Sequence, residues 1–263
     1  MDLTALNRIR VARSRSDLAL SPGGAPLAGG TWLFSEPQPE LRELVDLTGL
    51  GWPAVDVDDD VLTIAATCTI RELVELEPVD GWVSQHLSTR CARSLVASEK
   101  IWDWATVGGN IALALPAGAM TSLAVALDAT AVVWTSDGEE RREPVADLVT
   151  GVRSTTLGAG EVLRAIVIDR EVLAQPTSFG RVALTKEGRS GVIVVGRRTS
   201  DALVLTVTAG VTRPQRLEVA PTTTDVAAAV DSIDDWYDDP HGAPDWRAAM
   251  AARLAEQIRQ ELA

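Results

Sequence analysis

Alternating apolar and polar positions predict strands in the middle of the chain. Residues 61–68 alternate and are rich in β-branched side chains, which is typical of a strand. Residues 162–168 form a strongly apolar run and predict a second strand. Residues 131–145 predict a β-hairpin, because Ser-Asp-Gly at 136–138 favours a tight turn between two strand-like segments.

Apolar residues spaced three or four positions apart predict the helices. Thr69 is expected to cap the helix at 70–76, since a threonine hydroxyl can accept a hydrogen bond from the first turn. Residues 39–47 begin with a proline and place four apolar side chains on one face, so they also predict a helix. The remaining segments predicted as helices are 87–97, 120–129 and 226–236.

The last part of the chain predicts a small sheet and a long helix. Residues 191–195 and 203–211 are apolar and predict two adjacent strands. Beyond residue 245, large apolar residues recur every four positions and predict one buried stripe of a helix. The stripe consists of Trp246, Met250, Leu254, Ile258 and Leu262, and we expect Arg247, Arg253, Glu256 and Arg259 to lie mostly off it.

Two glycine doublets are the strongest candidates for chemistry. Gly29-Gly30 is followed by Thr31, and Gly108-Gly109 is followed by Asn110. Paired glycines remove side chains, so bare N–H groups can approach a phosphate. A single doublet is usually only a turn, but two doublets with polar followers favour one pyrophosphate site built from two loops.

The two loops resemble the flavin loops of a known family. The family pattern A-G-G-T-[DE]-L corresponds to residues 28–33, and the pattern T-[IV]-G-G-N matches residues 106–110 throughout. Pro116, Leu127-Asp128-Ala129 and Glu161-Val162-Leu163 match further family positions in the same order. The chain therefore resembles the FAD-binding subunit of molybdenum hydroxylases, the family of xanthine dehydrogenase and aerobic carbon monoxide dehydrogenase.

The resemblance implies an α+β fold, with a FAD-binding fold of two α/β subdomains of the PCMH type and a small C-terminal sheet-and-helix domain. The corresponding boundaries are residues 1–52 and 53–174 for the two FAD-binding subdomains, and 175–263 for the C-terminal domain. Gln175-Pro176-Thr177-Ser178 is the expected boundary before the last of these.

The resemblance also implies which residues contact non-covalently bound FAD. Backbone N–H groups of residues 28–31 and 108–110 would hold the pyrophosphate, and Leu163 would lie against the flavin. Arg181 and Lys186 compete for one basic family position. The full expected set is Leu27, Ala28, Gly29, Gly30, Thr31, Trp32, Leu33, Thr106, Gly108, Gly109, Asn110, Leu163, Arg181 and Lys186, with no catalytic residue and no metal ligand.

Three positions depart from the family pattern. Trp32 replaces an acidic residue, Trp102 replaces an arginine, and Ala119 replaces an aspartate that contacts the cofactor. Trp32, Trp102 and Trp104 flank the glycine loops and either pack in the core or shield the cofactor.

Composition excludes other kinds of function. A net charge of −13 argues against nucleic-acid or membrane-surface binding. Cys68 and Cys91 lie far apart and are expected to be buried, which argues against an iron–sulfur or zinc site. His86 and His241 are expected to be structural or surface residues, and no nucleophile, Walker or Rossmann motif is present. Neither a signal segment nor a membrane-spanning run is found, so we expect a cytoplasmic protein.

Two functions remain open at the level of sequence. The resemblance implies an electron-transfer subunit that receives electrons from a two-iron two-sulfur subunit and a molybdopterin-binding subunit. It would pass them through FAD to NAD, a quinone or oxygen. The alternative is a divergent stand-alone member with a different flavin-dependent reaction or a non-redox binding role, which the replaced positions favour somewhat.

Overall fold

A small parallel sheet forms the N-terminal part of the molecule and delivers the first glycine loop. The computed structural model describes residues 3–220 and 222–263. Strands β1 (Arg8–Val11), β2 (Gly24–Leu27) and β3 (Glu43–Asp46) are parallel, with β3 in the centre. The first glycine doublet follows β2 directly.

The helix predicted over residues 39–47 is wrong. This segment contains β3 and is followed by a 3₁₀ helix, Leu47–Leu50. Leu44 and Val45 are both completely buried, because β3 is a central strand covered on both faces. Adjacent apolar residues in such a strand cannot be distinguished from a short helical pattern by spacing alone.

A five-stranded antiparallel sheet forms the middle of the molecule. Its order is β4-β5-β10-β6-β7, which places the predicted apolar strand β10 in the centre. The hairpin of β6 and β7 is confirmed. The strands are β4 (Val55–Val57), β5 (Val61–Ala65), β6 (Thr130–Trp134), β7 (Glu140–Pro144) and β10 (Val162–Asp169).

Helices cover this sheet and connect its strands. Thr69 caps α1 as predicted, since its hydroxyl accepts from the Glu72 N–H while the Glu72 carboxylate accepts from the Thr69 N–H. Every residue of α5 is buried, which makes it the central helix of the core. The helices are α1 (Ile70–Val74), α2 (Leu87–Ser94), α3 (Glu99–Trp102), α4 (Val107–Leu113), α5 (Ala119–Ala126), α6 (Val145–Leu148) and α7 (Arg170–Leu173), and the short hairpin β8 (Val149–Gly151) and β9 (Ser154–Thr155) follows α6.

The C-terminal part is a four-stranded antiparallel sheet with a long helix packed on it. The predicted adjacent strands are β12 and β13, in the order β11-β12-β13-β14. The helix predicted over 226–236 is confirmed only for its first half, and Trp236 instead bridges to Val211. The elements are β11 (Thr177–Val182), β12 (Val192–Arg198), β13 (Leu203–Thr208), β14 (Gln215–Val219), α8 (Ala227–Asp231) and α9 (Pro244–Glu261).

One prediction for α9 is wrong, because Arg247 is fully buried instead of lying off the packed face. Its guanidinium donates to the carbonyl oxygens of Gly191 at 2.6 Å, Ala209 at 2.9 Å and Gly242 at 2.7 Å, and pairs with Asp239. The prediction used only the spacing of apolar residues along the helix. Arg247 is buried because its guanidinium donates to carbonyl groups from distant loops, which that spacing does not reveal.

The α+β class is confirmed. Each of the three larger sheets lies within one of the three predicted segments, at residues 8–46, 55–169 and 177–219. The boundaries themselves stay a prediction.

Candidate functional site

The first glycine loop presents an uninterrupted row of unused backbone donors. No residue that the structure describes accepts a hydrogen bond from the backbone N–H of any residue from 28 to 33. Gly30 has φ of +69°, a left-handed conformation that glycine adopts without strain. Successive N–H groups in such a turn form a concave site for anions. The loop can therefore bind a phosphate without a cationic side chain of its own.

Gly29 and Gly108 allow the polypeptide segments around the site to pack unusually close together. A Cβ on Gly29 would lie 1.6 Å from the carbonyl oxygen of Trp104, immediately before the second loop. A Cβ on Gly108 would lie 2.3 Å from the Cβ of Ala66, which follows β5. These glycines are required by backbone packing, and that packing brings the two loops to one site.

The second glycine loop is the first turn of α4, and its backbone N–H groups are already in use. The Gly108 N–H donates to the Ala66 carbonyl at 3.0 Å, and the Asn110 N–H donates to the Thr106 carbonyl at 3.0 Å. The Gly109 N–H donates to the Thr106 hydroxyl at 3.1 Å, so Thr106 serves as the helix cap. In this structure the free backbone donors of the two loops thus belong to the first loop, and the predicted phosphate-binding role of residues 108–110 stays a prediction.

Asn110 keeps one polar group for a ligand. Its side-chain oxygen accepts from the Met120 N–H at 2.8 Å, which ties α4 to the start of α5. Its side-chain NH₂ donates to none of the residues that the structure describes. Oriented by the first bond, this amide can donate to an acceptor in the cavity.

A cavity of about 530 Å³ lies between the two loops. This volume is typical of a site for a small molecule or cofactor. Most of its lining is apolar, and Leu163 of β10 contributes to it as expected. All predicted site residues line the cavity except two: Leu27, Ala28, Gly29, Gly30, Thr31, Trp32, Leu33, Thr106, Gly108, Gly109, Asn110 and Leu163 are brought together.

Arg181 and Lys186 do not line this cavity. Arg181 lies on β11, where its guanidinium donates to the Ser190 hydroxyl at 2.7 Å and to the Gly188 carbonyl. Burial lowers the pKa of Arg181. Lys186 is exposed in the loop between β11 and β12. Neither residue contributes to the site in this structure, and their predicted role has no support from the cavity.

Two charged residues outside the expected set of site residues line the cavity. Glu161 precedes β10, and its pKa is held below the ordinary value by the Gly158 N–H and by Arg141, whose guanidinium lies 2.7 Å away. Arg153 lies in the turn between β8 and β9, with its guanidinium carbon 6.0 Å from the ring centre of Trp32. No sequence motif indicated Arg153, because the turn reaches the site only through the fold.

The three tryptophans near the glycine loops have different environments. Trp32 lines the cavity, and its indole N–H is buried without an acceptor among the described residues. Trp102 is buried in the core beside Arg71, whereas Trp104 is 67% exposed. Ala119 is completely buried at the start of α5. Only Trp32 therefore lies where it can contact a bound cofactor.

The described residues contain neither a metal-binding cluster nor a membrane-spanning helix. Within residues 3–220 and 222–263, no group of three or more His, Cys, Asp or Glu side chains could hold a metal ion. No helix in these ranges combines the length and apolarity needed to cross a bilayer. Cys68 and Cys91 are buried as expected, and burial raises the pKa of each thiol to about 12.

Similar folds occur in solved oxidoreductases. Quinoline 2-oxidoreductase from Pseudomonas putida 86 is 22% identical with a TM-score of 0.83, and the match covers 100% of this chain and 98% of that chain. Carbon monoxide dehydrogenase from Hydrogenophaga pseudoflava is 20% identical with a TM-score of 0.82, and the match covers 97% of this chain and 96% of that chain. Reconstituted CO dehydrogenase from Oligotropha carboxidovorans is 20% identical with a TM-score of 0.82, and the match covers 99% of this chain and 98% of that chain. At these identities the matches demonstrate a shared fold.

The family is shown by sequence. No functionally curated protein matches the chain. Residues 11–170 match the family model for the FAD-binding domain in molybdopterin dehydrogenase, and this segment contains both glycine loops and the cavity. The chain therefore belongs to the family of FAD-binding domains of molybdopterin dehydrogenases.

Proposed function

We propose that this chain is the flavin subunit of a multi-subunit molybdenum hydroxylase. It would hold FAD non-covalently and pass electrons from an iron–sulfur subunit to an external acceptor such as NAD, a quinone or oxygen. The observation that carries the proposal is the row of unused N–H groups at residues 28–33, which borders the cavity of a FAD-binding domain.

The residues of the cavity fit a flavin dinucleotide. The free N–H groups suit a diphosphate, and the apolar walls suit a flavin or adenine ring. None of the lining residues is a His or Cys, the side chains that would attach a flavin covalently. The isoalloxazine ring supplies the redox chemistry when FAD is bound, whereas this chain's residues bind it, orient it and exclude water.

Partner subunits complete the proposal. The described residues offer no metal-binding cluster, so the iron–sulfur and molybdopterin centres would belong to separate chains. The carbon monoxide dehydrogenase from Hydrogenophaga pseudoflava, which has the same fold, uses a molybdenum cofactor, although that structure lacks the Mo-pyranopterin moiety of the cofactor. This likeness supports a molybdenum-containing assembly. In this arrangement the isolated chain exchanges electrons through its flavin but does not oxidise an organic substrate.

Purification and spectroscopy test the proposal directly. The purified chain should be yellow and should release FAD, and no other flavin, on acid denaturation. Co-expression with an iron–sulfur subunit and a molybdopterin-binding subunit should yield a stable complex. A colourless protein that does not take up added FAD contradicts the proposed cofactor. Rapid turnover of an organic substrate by the isolated chain with FAD alone contradicts the electron-transfer role and supports the divergent stand-alone alternative.

A further inference from the structure

The turn that carries Arg153 is held in an unfavourable conformation. Arg153 has φ of +55°, a left-handed region that costs a residue with a β-carbon about 1 kcal/mol. Its backbone N–H donates to the Ala114 carbonyl at 2.8 Å, directly after α4. The hairpin is thereby fixed to the helix that begins with the second glycine loop. Strained residues of this kind are concentrated at binding and catalytic sites.

The guanidinium of Arg153 lacks an anionic partner. It forms no hydrogen bond or ion pair with any residue that the structure describes, and its guanidinium carbon lies 6.0 Å from the ring centre of Trp32. Glu161 is the other charged residue lining the cavity, and it is already paired with Arg141. The cavity therefore has one uncompensated positive charge, in a chain whose net charge is −13.

Trp32 places the charge of Arg153 beside the first loop and its unused donors. It belongs to the row of residues 28–33 whose N–H groups are free, and Arg153 lies over its ring. An anion held by these N–H groups would be within reach of the flexible guanidinium. Arginine binds phosphate oxygens through paired N–H groups, which strengthens and orients the contact.

We propose that Arg153, placed over Trp32, is the counter-charge for the diphosphate of the bound dinucleotide. The first loop supplies neutral N–H donors, and Arg153 adds the positive charge from the β8–β9 turn. The inference rests on the proposed FAD site but concerns only its diphosphate portion. ADP, which has the diphosphate without the flavin, is therefore also a ligand of this part of the site.

Titration of three variants tests the role of Arg153. FAD and ADP are titrated into wild type, Arg153→Gln, Arg153→Lys and Arg142→Gln, each stripped of cofactor, by calorimetry at low and high salt. Arg142 is the matched control, since it is an exposed arginine that does not line the cavity and gives the same change in net charge. Thermal melting of each ligand-free variant establishes that it is folded.

Arg153→Gln should weaken FAD and ADP about tenfold each, because an exposed charge contact is screened by solvent. It should also reduce the salt dependence of both, and Arg153→Lys should retain part of the affinity. Arg142→Gln should bind like wild type.

Equal affinities in Arg153→Gln and wild type would overturn the inference while leaving the proposed function intact. Weaker FAD binding with unchanged ADP binding and salt dependence would also overturn it, by placing Arg153 against the flavin. Arg153-dependent binding of ADP without FAD binding would support the inference and contradict the proposed function, whereas binding of neither ligand contradicts both.

Discussion

At the scale of residues, the site depends on glycines, whose lack of a side chain allows close backbone packing. Gly29 and Gly108 are needed because a side chain would collide with backbone or with Ala66, whereas Gly30 is needed for its positive φ. The motif A-G-G-T thus combines two separate requirements, close packing and left-handed geometry. The resulting loop leaves its N–H groups free for a ligand.

Alanine at either packing glycine should disrupt the site. Gly29→Ala places a Cβ 1.6 Å from the Trp104 carbonyl oxygen, and Gly108→Ala places one 2.3 Å from the Ala66 Cβ. Backbone must move in both variants, so we expect loss of FAD binding and destabilisation of about 1–3 kcal/mol. Spectroscopic titration and urea denaturation measure the two effects.

Gly151→Ala is the matched control for this pair. Its Cβ would meet only the Ser154 Cβ at 3.7 Å, an ordinary contact, and the residue does not line the cavity. It should bind FAD like wild type. If Gly29→Ala behaved like this control, close approach of the two loops would not be required.

At the scale of elements, β3 stabilises the N-terminal sheet that delivers the first loop. Glu43 begins this central strand and is buried, and its carboxylate accepts from Arg10 of β1 at 2.7 Å. Arg10 also donates to the carbonyls of Asp17 and Ala19. One ion pair therefore joins two strands and the loop between β1 and β2.

Acid should weaken this sheet through Glu43. The hydrogen bond from Arg10 lowers the pKa of Glu43 below its ordinary value. Its stabilising contribution is therefore complete above the unfolded pKa, about 4.3, and is lost as pH falls through the lower folded pKa. We expect Glu43→Gln to lower the melting temperature at pH 7, with a smaller further decrease on acidification than wild type shows. If the melting temperatures of both proteins fell by the same amount between pH 7 and pH 3, this role would be contradicted.

At the scale of the whole molecule, a few polar contacts join the FAD-binding part to the C-terminal sheet. The Ser122 hydroxyl of α5 lies 2.6 Å from the Thr208 hydroxyl of β13. The buried guanidinium of Arg197 on β12 donates to the Ala126 carbonyl at 3.0 Å and pairs with Asp128. The C-terminal sheet thereby supports α5, whose first turn is bound by Asn110.

Neutralising Asp128 should loosen this junction. Asp128→Asn preserves shape and tolerates the positive φ of 47°, but it leaves the buried Arg197 without its carboxylate. We expect a loss of about 1–3 kcal/mol in the free energy of unfolding, measured by urea denaturation. Asp201→Asn, in the exposed turn between β12 and β13, is the control and should be neutral. Identical unfolding midpoints for Asp128→Asn and wild type would show that Arg197 does not need this partner.

Local patterns determined much of the fold, and the two glycine motifs located loops that border the cavity. The Thr69 capping box and the β6–β7 hairpin depend on interactions between neighbouring residues, so the sequence alone predicted them correctly. Only the tertiary structure decided that residues 43–46 form a strand, that Arg247 is buried and that Arg181 lies outside the cavity. Tertiary structure likewise placed Arg153 at the site, because its turn is bound to Ala114 at the end of α4. Such positions depend on contacts between residues distant in sequence, which hydrophobic spacing and short motifs do not record.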